Sequence, residues 1–200
     1  MIKRLLNILI FIFIFALYFV TFLLIYDTFR DRKLDEMEKD ALNLLEKNIK
    51  KAENKTETLE AEASVVNYGN FTVIGKLSAP TVGVSAVILK EQTYAAMNIG
   101  AIKTYGVDLN KPGGFIVAGH NFRGRSQFMY PIKNLKNGDK IYITDSLGIE
   151  MGYTVYSVER RVSPNDTSYY KSYDDEYHVV LSTCENGGKS RIIVKAKVEE

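Results

Sequence analysis

The hydrophobic rhythm of the chain changes twice, after Tyr26 and after Val65. From Leu5 to Tyr26 the sequence is almost unbroken Leu, Ile, Phe, Val and Tyr, interrupted only by Asn7, Ala16 and Thr21. At about 1.5 Å per residue, these roughly 22 residues reach roughly 33 Å as a helix, enough to cross a hydrocarbon layer of about 30 Å. A cleaved signal peptide would have a shorter apolar region and an Ala-x-Ala type site, and none stands between Tyr18 and Arg30. The segment therefore predicts an uncleaved membrane anchor. From Asp27 to about Ser64 the chain is charged, and Leu34, Met37, Ala41, Leu44 and Leu45 recur at helical spacing before the stripe fades near Ile49 and Lys51. This predicts a helical stalk, either a solvated spacer or a helix packed on the following domain. Clean heptads are too few for an oligomerising coiled coil.

Beyond Val65 the apolar residues fall into short runs separated by Gly, Pro, Asn and Asp: Phe71 to Leu77, Val82 to Leu89, Gly114 to Ala118, Lys140 to Thr144, Tyr153 to Val162, His178 to Thr183 and Arg191 to Val198. Strands at this spacing predict a mainly β domain, and seven or eight of them suit a closed barrel. One helix is expected around Glu91 to Ile102 and another turn near Phe128 to Leu135, while Asn137-Gly138-Asp139 and Ser146-Leu147-Gly148 mark turns around one hairpin. The predicted organisation is a cytoplasmic N-terminus (1–4), an anchor (5–26), a helical stalk (27–63) and a β domain (64–200).

Charge adds little: 26 basic against 24 acidic residues create no field that would argue for nucleic acid. Nor does it orient the anchor, because Lys3 and Arg4 precede the span and Arg30, Arg32 and Lys33 follow it. The lone cysteine excludes an internal disulfide.

That cysteine, Cys184, ends the strand-like run from His178, and a turn-like stretch from Glu185 to Ser190 leads to Arg191 at the head of the next strand. Hairpin register allows Cys184 and Arg191 to lie opposite each other. Ile192, Val194 and Ala196 form the apolar set of the second strand, which leaves Arg191 on the outward face with Ile193 and Lys195. Two histidines compete as partners. His178 is on the same strand as Cys184, six residues away, and at roughly 3.3 Å per residue about 20 Å distant, so it cannot touch the thiol. His120 follows the run Phe115-Ile116-Val117-Ala118-Gly119 and enters a loop, where a scaffold exposes reactive side chains.

Taken together, Val117-Ala118-Gly119-His120-Asn121, Leu181-Ser182-Thr183-Cys184 and Arg191 resemble the sortase family of membrane-anchored cysteine transpeptidases. The resemblance covers roughly Ile74 to Val198 and includes Pro80-x-x-Gly83 and Leu135-Lys136-x-Gly138-Asp139 in family order. His120 precedes Cys184 by 64 positions, the reverse of the usual order in papain-like peptidases. The resemblance implies a closed eight-stranded sortase-type β-barrel with one or two short helices, lying outside a Gram-positive cell. It also implies a single-pass anchor in the lipid bilayer, with His120, Cys184 and Arg191 as catalytic residues. The thiolate is the reactive form of cysteine, and neighbouring cations favour it. In this reading Cys184 attacks the Thr carbonyl of a Leu-Pro-x-Thr-Gly-like sorting signal on a surface protein. His120 protonates the departing amine and deprotonates the cell-wall precursor (or pilin) amine that follows, while Arg191 holds the substrate and its carbonyl oxygen.

Further candidates for substrate contact are Ser182, Thr183 (its predicted face is inward) and Asn121, which orients His120 or simply forms a turn. Tyr169, Tyr170 and Tyr173 join them, in the segment Ser163 to Tyr177 that corresponds to the family's groove wall. The acidic run Asp174-Asp175-Glu176 raises calcium as an alternative, since some relatives bind it at this loop. Hard cations take six to eight oxygen ligands, and residues 103–114 offer only Asp108, so no metal and no cofactor is expected. The chain has no Asp-Pro that would plug the groove as in pilin-polymerising sortases, and about 15 residues before the cysteine strand are too few for the long helix of the haem-uptake type. A housekeeping or accessory anchoring sortase is the expected subclass. Two other classes compete: a tethered thiol hydrolase that resolves the acyl-enzyme with water, and a non-enzymatic anchored β-barrel module with an inert cysteine.

Overall fold

In the computed structural model, residues 2–55, 66–121, 129–171, 173 and 175–199 are described. The apolar N-terminal run and the charged run after it form one unbroken helix, α1 (Ile2–Lys55). The chain divides into two compact units, residues 1–37 and 38–200. In the first, α1 is exposed along its apolar face and is long and apolar enough to cross a membrane. In the second, the remaining part of α1 buries Glu38, Ala41 and Leu45. Ile49 packs on Gly148, and Glu46 lies 3.7 Å from Lys76. The inward stripe is thus Glu38, Ala41 and Leu45, buried, with Ile49 half-buried. Leu44, expected on it, is 40% exposed, because a real helix at 3.6 residues per turn cannot bring Leu44 and Leu45 equally inward.

The strands are β1 (Val66–Tyr68), β2 (Phe71–Ala79), β3 (Val84–Leu89), β4 (Ala101–Gly106), β5 (Gly113–Gly119), β6 (Lys140–Asp145), β7 (Glu150–Val162), β8 (Tyr177–Glu185) and β9 (Ser190–Lys197), with a second helix α2 (Tyr94–Ile99). Their order is β1-β2-β3-β4-β5-β8-β9-β7-β6, and β6 pairs back onto β2 from Gly75↔Asp145 to Ser78↔Tyr142. Eight strands therefore close a barrel, which removes the exposed edges of an open sheet. β1 is a short addition on β2. Leu77, Ile88, Phe115, Ile143, Tyr153 and Leu181 fill the interior.

β8 is buried along almost its whole length because both its faces are covered. Val179 and Leu181 point into the barrel, while Val180 joins Ile116, Ile193 and Tyr169 in a smaller cluster outside it. The continuous apolar run His178 to Thr183 is thus the signature of a strand buried on both sides, and its pairing with β5 is parallel.

Two elements differ from expectation. The helix expected from Glu91 to Ile102 is only α2, Tyr94–Ile99. Thr93 caps it by accepting from the Ala96 amide at 3.1 Å, and Gly100 ends it where a Cβ would strike Val87. Ala101 and Ile102 already belong to β4, which runs parallel to β3, and Lys103, Thr104 and an irregularity before Tyr105 hid its alternation. The run Val82 to Leu89 starts as a 3-10 turn, Pro80–Val82, and becomes a strand only at Val84 after Gly83 turns with φ 69°. Near the other expected turn, Tyr130–Asn134 forms a 3-10 helix; Phe128 lies outside the described residues.

Candidate active site

Three adjacent strands bring the proposed residues to one end of the barrel. β5 and β8 run parallel with Ala118 opposite Ser182 and Gly119 opposite Thr183, so the next residues in line, His120 and Cys184, lie side by side. β9 runs antiparallel to β8 with Arg191 opposite Cys184. With neighbouring strands about 4.8 Å apart, the three backbone positions form a row roughly 10 Å long. His178 pairs with Gly114 and Lys197 at the far end of β8.

Short polar contacts lock this row. The Thr183 hydroxyl, facing inward and buried, donates to the Gly119 carbonyl at 2.8 Å. Asn121 Nδ2 donates to the Cys184 carbonyl, and the Met129 amide donates to the His120 carbonyl at 3.1 Å. Gly119 is needed for this approach, since a Cβ there would collide with the Met129 side chain. Asn121 thus ties the end of β5 to the end of β8. The His120 ring meets the Tyr94 ring from α2, centroids 5.0 Å apart and planes at 64°.

The Cys184/Arg191 hairpin is braced by the residue after the cysteine. Glu185, buried, accepts from Arg160 Nε at 2.9 Å and Nη2 at 2.5 Å, from the Arg161 amide at 2.9 Å and from the Ser190 hydroxyl at 3.4 Å. Burial opposes ionisation of this carboxyl, but the Arg160 and Arg161 hydrogen bonds outweigh it and hold Glu185 below the usual carboxylate range. Arg161 adopts φ 59° where β7 slips register against β9, which turns its amide towards the carboxylate. Arg191 Nη1 donates to the Gly188 and Ser190 carbonyls at 3.0 and 3.1 Å, and both Arg191 and Cys184 are half-buried.

The β7–β8 connection crosses the outer face of β5, β8 and β9. Tyr169, 5% exposed, sits on Ile116, Val180 and Ile193. Its burial and the adjacent Tyr170 raise its phenol above the ordinary value, while Ser182 and the Arg191 charge pull the other way. Tyr170 is partly exposed and meets Tyr105 edge-on at 5.1 Å. Tyr173 is not brought to Cys184: it stacks on His178 at 3.8 Å. Of the candidates, then, Ser182, Thr183, Asn121 and Tyr169 gather around the row, Tyr170 lies on its flank and Tyr173 at the opposite end. No group of three or more His, Cys, Asp or Glu that could hold a metal occurs among the described residues; Asp174 lies outside them.

Neither Tyr94 nor the Arg160–Glu185 pair is marked by a motif in the sequence. The signal for Tyr94 as the first residue of α2 is the N-cap Thr93 just before it. Glu185 looked like a turn residue, because its partners Arg160 and Arg161 are some 25 positions away.

Residues 77–199 match the family model described as a Sortase domain. The chain belongs to the sortase family. It is 29% identical to Sortase A of Listeria monocytogenes serovar 1/2a over 69% of this chain, and 29% identical to Sortase A of Bacillus anthracis over 62%. The chain spans 66% and 58% of the lengths of these curated relatives. Among solved structures it is similar to the Clostridium perfringens Sortase D5 transpeptidase, with a TM-score of 0.62 and 25% identity over 82% of this chain and 99% of that one. The matched region begins inside β2 and ends just past β9, so it contains the whole row of His120, Cys184 and Arg191.

Proposed function

We propose that this sortase is a membrane-anchored cysteine transpeptidase in which Cys184, His120 and Arg191 act together, the catalytic domain facing the cell exterior. The observation that carries the reading is the register: Cys184 opposite Arg191, and Gly119 opposite Thr183 so that His120 lies beside the thiol. The Cys184 thiolate attacks the Thr carbonyl carbon of a Leu-Pro-x-Thr-Gly-like signal, and the His120 imidazolium gives its proton to the glycine nitrogen as the peptide bond breaks. A thioester remains. An incoming cell-wall amine attacks it, His120 takes the amine proton, and Cys184 leaves as the thiolate. Arg191 supplies the fixed positive charge for the carbonyl oxygen in both steps; loss of one such donor costs about 2.7 to 4 kcal/mol in other enzymes. Asn121 and Thr183 hold the strand ends that carry His120 and Cys184, and Ser182 and Tyr169 border the outer face along which the peptide lies. The chemistry needs no metal or cofactor.

The test is intact mass spectrometry of the full chain in detergent micelles with a Leu-Pro-x-Thr-Gly peptide, with and without triglycine. A thioester adduct on Cys184 that passes to triglycine is the expected result. An adduct yielding only free acid would point to a hydrolase or to another acceptor amine, and absence of any adduct across a panel of sorting peptides would overturn the reading.

A further inference from the structure

Tyr94 opens α2 with 68% of its surface exposed, more than any other large apolar or aromatic residue among the described residues beyond α1. Burial therefore does not account for it. Among the described residues its ring contact is with His120, at 5.0 Å and 64°. The element carrying it is firmly seated: Thr93 caps the Ala96 amide, Ala96 and Ile99 are buried, and Gly100 abuts Val87 so closely that no Cβ would fit. His120 is held by its backbone on one side through Met129 and by its neighbour Asn121 on the other. A rigid helix end thus presents an aromatic ring to an imidazole whose backbone is already fixed.

We infer that Tyr94 is a positioning residue for His120: its ring holds the imidazole in one orientation and favours the protonated form. A cation within about 6 Å of a ring centroid is attracted to it, and the His120 and Tyr94 centroids are 5.0 Å apart. The inference rests on the acid–base role proposed for His120, because the imidazolium is the form that must deliver a proton to the leaving amine. Among the described residues, the register sets Cys184 on β8 beside His120 and Arg191 on β9 one strand further, the thiolate favouring and the guanidinium opposing its protonation. Around α2, Glu91 is occupied by the Thr72 amide, and on β4 Lys103 by the Gly106 carbonyl. Arg123 and Arg125 lie in the loop outside the described residues. Tyr94 variants leave all of these in place.

The chain has two histidines, so isotope labelling of histidine in the full-length protein in micelles yields two imidazole signals, assigned with His120→Gln. Tyr94→Ala is expected to lower the His120 titration midpoint by about half a pH unit while that of His178 stays still. Acylation at neutral pH should fall roughly threefold, mostly in kcat, by the same stabilisation lost from the imidazolium. Tyr94→Phe should restore both, since the ring and not the hydroxyl acts. An unmoved His120 midpoint in Tyr94→Ala, or an equal loss in Tyr94→Phe, overturns the inference. If no sorting peptide is turned over but the midpoint moves as stated, Tyr94 keeps this role and the proposed reaction falls; if peptide is turned over and neither midpoint nor pH profile responds, the reverse holds. Should the His178 signal reveal that Tyr94→Ala has lost its fold, Tyr94→Leu carries the same test.

Discussion

At one end of β8, His178 is 5% exposed, with Nε2 2.7 Å from Glu176, Nδ1 3.4 Å from the Tyr156 hydroxyl and Tyr173 stacked on its ring. At the other end, His120 is half-buried beside Cys184, with Tyr94 as its ring partner. Both histidines adjoin a strand end and both touch a tyrosine, yet His178 is buried and His120 only half-buried. Burial, with Tyr173, Glu159 and Glu176 nearby, raises the Tyr156 phenol above its ordinary value. The same loop residues also pin the β7–β8 connection: Gly113 donates to the Glu176 carbonyl at 2.8 Å, and Gly114 leaves room for the Tyr173 ring. Enclosure thus sets the His178 end, which braces a loop, apart from the His120 end, to which the proposed proton transfer is assigned.

The sharpest way to break this contrast is at the His120 end. Cys184→Ala should abolish thioester formation with the fold intact by circular dichroism, and His120→Ala should lower the acylation rate by about 10² to 10⁴-fold. Retained turnover in Cys184→Ala would end the account. Arg191→Ala follows, with an expected loss of about 10² to 10³-fold in kcat; steady-state kinetics with a saturating amine would read it, and a change confined to KM would reassign Arg191 to binding.

Next is the brace between the two. Glu185→Gln should cost about 1 to 3 kcal/mol at neutral pH, because Arg160 and the Arg161 amide lose a charged acceptor, and should slow acylation severalfold by loosening the Cys184/Arg191 hairpin. Since the folded carboxyl lies below its unfolded value of about 4.3, its stabilisation is fully present above that pH and is lost as pH falls through the folded value. Thermal unfolding of wild type and Glu185→Gln should therefore converge on acidification; parallel curves would show that Glu185 does not carry the effect. The smallest change in rate belongs to His178→Ala, within about threefold of wild type, although stability should drop by about 1 to 3 kcal/mol as a buried stacked ring and its hydrogen bonds are removed. A rate loss matching His120→Ala would erase the distinction between the two ends.

Much of the barrel could be read in advance because each local signal agreed with its neighbours. The turns at Gly138 and Gly148 do bracket β6, with φ of 92° and 86°, and the Cys184↔Arg191 pairing follows from the hairpin alone. α2 and β4 were blurred because the break between them is Gly100, whose reason for being glycine is Val87 on another strand. The site was legible where its residues are close in sequence or carry family motifs. Tyr94, Arg160 and the placing of Tyr173 were not, since each acquires its meaning from a partner on a different element.

By itself the sequence determined the periods: an apolar helix, a charged helix, and strands whose alternation says which side chains face inward. It also determined that one thiol and one cation would oppose each other across a tight turn. Only the tertiary structure decided that β5 runs beside β8 and so brings His120 to Cys184, that Glu185 would be clasped from β7, and that Tyr94 would meet His120. Period is a property of consecutive residues, set by backbone geometry. Which strands become neighbours is settled by closing a barrel around one shared core, and that depends on every strand at once.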